Sequence, residues 1–180
     1  HIKSRLKTAD SIVKKLKKDG HDVTIENMME HLSDIAGIRI ICSFTSDIYQ
    51  IAEMIAHQAD VTVLHVKDYI KNPKPNGYKS YHMVVTVPVY LSDGPVETKV
   101  EVQIRSVAMD FWASLEHKIA YKFEGNAPEN LLKELKACAD IVDMLDAKMF
   151  SLNEAITAYA AEQRRQEQQA AKTEKSQEKL

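Results

Sequence analysis

The sequence predicts an α+β domain: a mixed sheet with helices packed against it, followed by a long helical extension. Three observations carry this. The elements run as helices, strand, helix, three strands, then helices, an order that suits a mixed sheet. Residues 97–105 alternate cleanly, with Val100, Val102 and Ile104 facing one way and Lys99, Glu101, Gln103 and Arg105 the other. From Leu131 to Tyr159 apolar residues recur at an unbroken 4-3 spacing.

The elements follow in order. Ile2, Leu6, Ala9, Val13 and Leu16 recur at helical spacing among lysines, predicting a basic helix over 2–18 that Asp19-Gly20 ends. Thr24 caps a second helix through Leu32. Ile35 to Phe44, dense in isoleucine, reads as a buried strand. Ser46 caps a helix whose Ile48, Ile51, Ala52 and Ile55 share a face. Val61 to Ile70 is a second strand. Lys71 to Ser80, with Pro73, Pro75 and Gly77, is a loop. Tyr81 to Tyr90 and Glu97 to Arg105 are the last two strands, joined by the turn at Ser92-Asp93-Gly94-Pro95. Ser106 opens a helix to about Lys122, with Trp112 in the core. Leu131, Leu135, Cys138, Val142, Leu145, Met149, Leu152, Ile156 and Tyr159 form a heptad seam, part of which reads as a subunit interface, the alternative being a long helix packed on its own domain. After Glu162 the chain is polar and reads as a frayed or disordered tail.

Composition narrows the function. The chain has 180 residues, 44% of them hydrophobic, enough for one packed domain. A net charge of −2 argues against a nucleic-acid coat or a polybasic membrane binder, although residues 1–18 hold seven basic side chains against Asp10 alone. No run approaches the ~20 apolar residues of a membrane span, and no signal peptide is visible. Cys42 and Cys138, in apolar contexts, read as buried free thiols of a cytoplasmic protein. The chain begins at His1, inside a helical pattern, which predicts a segment upstream.

Three features carry chemistry. Asp34, at the mouth of the first strand, and Glu101, on the polar face of the last, suit magnesium, which takes carboxylates plus substrate phosphates; each alone also fits a surface acid. The loop Lys71 to His82 offers lysines for phosphates and an aromatic face for a base, or is a basic surface loop. Arg5, Lys7, Lys14, Lys15 and Lys18 could embrace a polyphosphate or form a solvated face. The dipeptide His21-Asp22 lacks further ligands at metal spacing. No phosphate-binding glycine loop, Cys-x-x-Cys or Gly-x-Ser-x-Gly occurs.

Four stretches then resemble one family in order over about residues 1–123. They are Ser33-Asp34-Ile35-Ala36-Gly37-Ile38-Arg39, Lys74 to His82, Glu101-Val102-Gln103-Ile104-Arg105, and Met109 to Lys118. They closely resemble the synthetase domain of RelA/SpoT-type proteins; the length and C-terminal helix resemble the small alarmone synthetases, and the wording of 38–49 and 71–78 the RelP branch. The resemblance implies a nucleotidyltransferase-like fold over 1–125, a helical oligomerisation extension over 126–162 and a polar tail over 163–180. It implies transfer of pyrophosphate from ATP to the 3′-hydroxyl of GDP or GTP, by a synthetase without a hydrolase domain, with Mg2+ as cofactor. Asp34 and Glu101 would hold the metal, and Glu101 would also be the general base. Arg5, Lys7, Lys15 and Arg39 would bind ATP, with Lys18 standing where some members have arginine. Tyr78 would stack on guanine, and Lys74, Asn76, Lys79, His82 and His117 would lie on the acceptor side. Asp110, a first-turn acid, would read guanine's two adjacent N–H donors or simply face the helix dipole. The partners implied are ATP, GDP or GTP and further copies of the chain in a tetramer, with no membrane; RNA is not indicated. A catalytically silent nucleotide- or RNA-binding module is the alternative, which paired acids among phosphate-binding groups disfavour. A tRNA-end-adding nucleotidyltransferase would show a Gly-Ser start and an Asp-x-Asp pair, which are missing.

Overall fold

A computed structural model describes residues 1–123 and 126–177. Five strands form one sheet: β1 (Ile2–Leu6), β2 (Ala36–Cys42), β3 (Thr62–Asp68), β4 (Tyr81–Leu91) and β5 (Gly94–Ser106), in the spatial order β1-β2-β5-β4-β3. Only β2 and β5 run parallel; the other neighbours are antiparallel. Five helices complete the chain: α1 (Ala9–Lys18), α2 (Ile25–His31), α3 (Thr45–Ala56), α4 (Val107–Lys122) and α5 (Glu129–Gln177).

One sheet face is the core. Met83 and Val85 of β4 and Val102 and Ile104 of β5 pack with Ile48 and Ala52 of α3 and Met109 of α4. Strand alternation then turns Glu101, Gln103 and Arg105 to the opposite face. Trp112 and Ala113 of α4 pack with Leu135 and Ala139 of α5 in a second cluster. Caps set the helix starts: Thr8, Thr24 and Ser106 accept from the backbone N–H three residues on.

Several expectations are corrected. Residues 2–6 form a strand, not the first turns of a helix. Ile2, Ser4 and Leu6 also fit a period of two, and the free edge of β2 supplies a ladder that a five-residue helical piece cannot match. Ile2 and Leu6 remain exposed, so the apolar stripe they suggested is not buried. At α3 the cap is Phe44, whose N–H donates to Asp47 Oδ2 at 3.0 Å, and Ser46 lies within the first turn. Cys42 is half-buried, and burial pushes its thiol up to about 11, whereas Cys138 is exposed. Both thiols are free.

The seam of α5 divides. Leu135 and Val142 face the domain, whereas Leu145, Met149, Leu152, Ile156 and Tyr159 are exposed. The helix also runs to Gln177, beyond the boundary drawn at 162, because Gln, Glu, Ala, Lys and Arg all favour helix without needing to pack. The domain boundary expected at 125 and the last three residues, 178–180, lie outside the described residues.

Candidate active site

The sheet register builds the site in rows. Gly37 of β2 stands opposite Glu101 of β5, with Arg5 of β1 beyond Gly37 and Val84 of β4 beyond Glu101. One step along, Lys3, Arg39, Gln103 and His82 line up across the same four strands. The Arg5 side chain crosses over Gly37: a Cβ there would stand in ordinary contact with Arg5 Cγ, at 3.5 Å. The result is a cleft of about 200 Å³ whose lining includes Lys3, Arg5, Gly37, Arg39, Glu101 and Gln103. Arg39, which lines it, has its Nε buried without a hydrogen-bond partner among the described residues. A buried donor left so is costly unless an anion takes it.

Asp34 precedes β2, two residues before its first residue Ala36. Lys7 Nζ lies 2.8 Å from its Oδ2, and Lys15 Nζ of α1 2.9 Å from its Oδ1. Burial alone would push the Asp34 carboxyl up, but the two ammonium groups outweigh it and hold it below its ordinary value. Glu101 is treated similarly. His82 Nδ1 lies 3.3 Å from Oε1, and Gln103 Nε2 donates to Oε2 at 3.1 Å. The His82 contact lowers the Glu101 carboxyl more than burial raises it, while the charge of Asp34 acts on Glu101 in the raising sense. Two ionised carboxylates thus share one field. Among the described residues no three His, Cys, Asp or Glu cluster as a complete metal shell. Two carboxylates beside basic groups are donors of the kind magnesium takes together with waters and substrate phosphates, although Lys7 and Lys15 hold both oxygens of Asp34 here.

The Tyr78 side of this face is built around Arg105, which is only 5% exposed. Its Nη2 donates to Tyr78 Oη at 2.7 Å and to Gln103 Oε1 at 3.0 Å, and its Nε donates to Ser80 Oγ at 3.3 Å. Its Nη1 donates to Asp110 Oδ1 at 3.1 Å, an oxygen that also accepts from Arg39 Nη1 at 3.3 Å. Tyr78 Oη and His82 Nε2 are 2.7 Å apart. The loop shapes itself locally: Gly77 N–H donates to Lys74 O at 2.9 Å, and Tyr78 N–H to Asn76 Oδ1 at 3.1 Å. Lys74 Nζ sits over the rings of Tyr69 and Tyr78, 4.9 and 4.7 Å from their centroids. A second cleft, of about 340 Å³, is lined by Arg5, Arg39, Tyr78, Arg105, Glu116 and His117 among others. Arg5 and Arg39 line both clefts, so the two form one continuous surface.

Of the residues singled out in the sequence, Arg5, Lys7, Lys15, Asp34, Arg39, Lys74, Tyr78, His82, Glu101, Asp110 and His117 come together on this face. Lys18 is exposed in the last turn of α1, and among the described residues nothing ties it to Asp34. Asn76 serves the loop and donates to Glu116 Oε1 at 3.3 Å. Lys79 turns away and pairs with Asp143 of α5. Asp110 is neither free nor solvent-facing: two guanidinium groups engage it. Arg105, Gln103, Ser80 and Tyr69 were not singled out as site residues. The alternation of β5 puts Gln103 and Arg105 on the face of Glu101, and that was the signal available. Nothing in the sequence pairs Arg105 with a phenol 27 positions away.

Comparison with known proteins adds independent findings. A family described as a region found in RelA/SpoT proteins matches residues 4–126. The chain is 49% identical over 156 residues to the GTP pyrophosphokinase YwaC of Bacillus subtilis, covering 87% of this chain and 74% of that protein. It is 36% identical over 172 residues to the GTP pyrophosphokinase YjbM of the same organism, covering 93% and 80%. Among solved structures, the small alarmone synthetase 2 of Bacillus subtilis superposes with a TM-score of 0.79 at 48% identity, over 86% of this chain and 80% of that one. The small alarmone synthetase 1 of Bacillus subtilis bound to its product pppGpp superposes with a TM-score of 0.81 at 35% identity, over 87% and 79%.

Proposed function

Since the chain belongs to the RelA/SpoT family and has the fold of its small synthetases, we propose that this face moves pyrophosphate from ATP to the 3′-hydroxyl of GDP or GTP, releasing AMP. The observation that carries the reading is the position of Glu101. It lines a cationic cleft that shares Arg5 and Arg39 with a second, largely polar cleft bearing Tyr78.

Each group then has a task. Arg5, Lys7, Lys15 and Arg39 hold the ATP phosphates and balance charge that develops in transfer. Asp34 and Glu101 would hold magnesium, which when bound draws charge off the phosphates. Tyr78 presents a ring for guanine, with Lys74 beside it for the acceptor phosphates. His82 and Gln103 hold Glu101 ionised and oriented. Glu101 accepts the proton of the 3′-hydroxyl, and that oxygen attacks the β-phosphorus. The bond from the β-phosphorus to the α–β bridging oxygen breaks, and AMP leaves with that oxygen. Alignment of the two oxygens supplies much of the rate.

The RelP assignment rests on the wording of 38–49 and 71–78. The exposed stripe of α5 from Leu145 to Tyr159 supports assembly into a homo-oligomer, a tetramer by resemblance. Among the described residues no helix is long and apolar enough to cross a membrane, and nucleotide substrates suit the cytoplasm. Incubation with ATP, magnesium and either GDP or GTP tests the reading. AMP together with a guanosine tetra- or pentaphosphate is expected. Nucleotide binding without AMP formation would leave the silent binding module in its place.

A further inference from the structure

Three successive residues of the acceptor loop touch α5. Gly77 comes first: its φ is +91°, and a Cβ there would lie 2.6 Å from Ala139 Cβ and 3.3 Å from Lys136 Cδ. The backbone of the loop therefore rests on the helix with no room for a side chain between them. Tyr78 comes next, packed beside Trp112, Leu135 and Ala139. Lys79 follows, paired with Asp143 one turn further along α5. This ion pair is partly shielded, the two side chains being 24% and 37% exposed.

The helix they touch is itself anchored. Asp146 Oδ2 accepts from Thr45 Oγ1 at 2.9 Å and from Ser106 Oγ at 2.8 Å, which ties α5 to the starts of α3 and α4. Trp112 Nε1 donates to Leu135 O at 2.9 Å. A loop left alone is the most mobile part of a fold. A stacking platform on a loop repays binding energy only if it is held in place beforehand. The motif that carries Tyr78 holds no partner of its own for Lys79; α5 supplies it from 64 positions away.

We propose that α5 is a working part of the acceptor site: Ala139 and Asp143 are positioning residues that hold the Tyr78 loop, and Lys79 is the loop's strap to Asp143 rather than a phosphate ligand. The proposal rests on the pyrophosphokinase reading for its kinetic consequence but not for its structural one.

The test uses the full chain with Asp143→Asn and the charge swap Lys79→Asp/Asp143→Lys. Asp143→Asn should raise the KM for GDP about fivefold, the scale of one partly shielded ion pair. The KM for ATP and kcat should stay within about twofold. Amide hydrogen exchange over residues 74–80 should accelerate while the amides of β4 and β5 keep their protection. The swap should restore both the GDP KM and the slow exchange. If Lys79 instead bound a phosphate directly, the swap would weaken GDP binding further, and the strap would be overturned. Unchanged exchange over 74–80 in Asp143→Asn would overturn it as well. A wild-type protein that makes no AMP would sink the pyrophosphokinase reading alone, since the exchange comparison needs no turnover.

Discussion

The two halves of the site are held by different physics. On the side proposed for ATP, cations from a strand, a turn and a helix gather around Asp34 and Gly37. Lys7 and Lys15 neutralise Asp34, and the cleft is open. On the side proposed for the acceptor, Arg105 is buried and every one of its nitrogens donates to a named partner, so Tyr78, Ser80, Gln103 and Asp110 are locked to one another. A polyphosphate is a flexible point-charge ligand that lysines can follow. A purine ring needs a fixed plane. The difference teaches that preorganisation is concentrated where the ligand is rigid.

That contrast can be broken at several places. The largest effect should come from the carboxylates Asp34 and Glu101. Asp34→Ala and Glu101→Ala should each abolish synthesis with circular dichroism unchanged; AMP formation within tenfold of wild type in either would remove that residue from the catalytic role. Next is Tyr78. Losing a stack costs roughly 1–3 kcal/mol per base. Tyr78→Ala should therefore weaken GDP use about fivefold or more and leave ATP binding nearly unchanged. Tyr78→Phe keeps the ring but leaves Arg105 Nη2 and His82 Nε2 without their phenol partner. It should fall between wild type and Tyr78→Ala, and equal GDP kinetics in the two variants would show that the hydroxyl, not the ring, does the work.

A smaller, more selective effect is expected at Asp110. If it also reads guanine's N–H pair, wild type should discriminate against IDP, which lacks the exocyclic amine, and Asp110→Ala should lose that discrimination. An unchanged GDP-to-IDP ratio would assign Asp110 solely to Arg39 and Arg105. The most remote perturbation is on α5. Leu145→Asp should dissociate the oligomer in light scattering, because Leu145 is 56% exposed. Val142 packs against the Trp112 cluster instead, so Val142→Asp would report on folding. Wild-type protein that runs as a monomer at micromolar concentration would end the assembly proposal.

How far the chain could be read depended on how local each signal was. The alternation of β5 placed Glu101, Gln103 and Arg105 on one face and Val102 and Ile104 in the core, as the structure has them. Thr24 and Ser106 were legible as caps, since a hydroxyl reaching its own backbone needs nothing from elsewhere. Residues 2–6 misled, because a period of four and a period of two are both present over five residues. The free edge of β2 decided between them. The seam was legible as an apolar stripe but not in what covers it, since a 4-3 repeat does not say which part packs on the domain and which stays exposed.

By itself, then, the sequence determined the element types from Thr24 to Glu162, the family and several of the groups that gather: Asp34, Glu101, Arg5, Lys7, Lys15, Arg39 and Tyr78. Those depend on side-chain type and short-range spacing, which the chain carries in every conformation. Only the tertiary structure decided who pairs with whom. It put Arg105 between Tyr78 and Asp110, His82 against Glu101, Lys79 on Asp143 and Gly77 on Ala139. Each of these contacts depends on strand register or helix docking, and those are settled by burial of the whole core rather than by any local stretch.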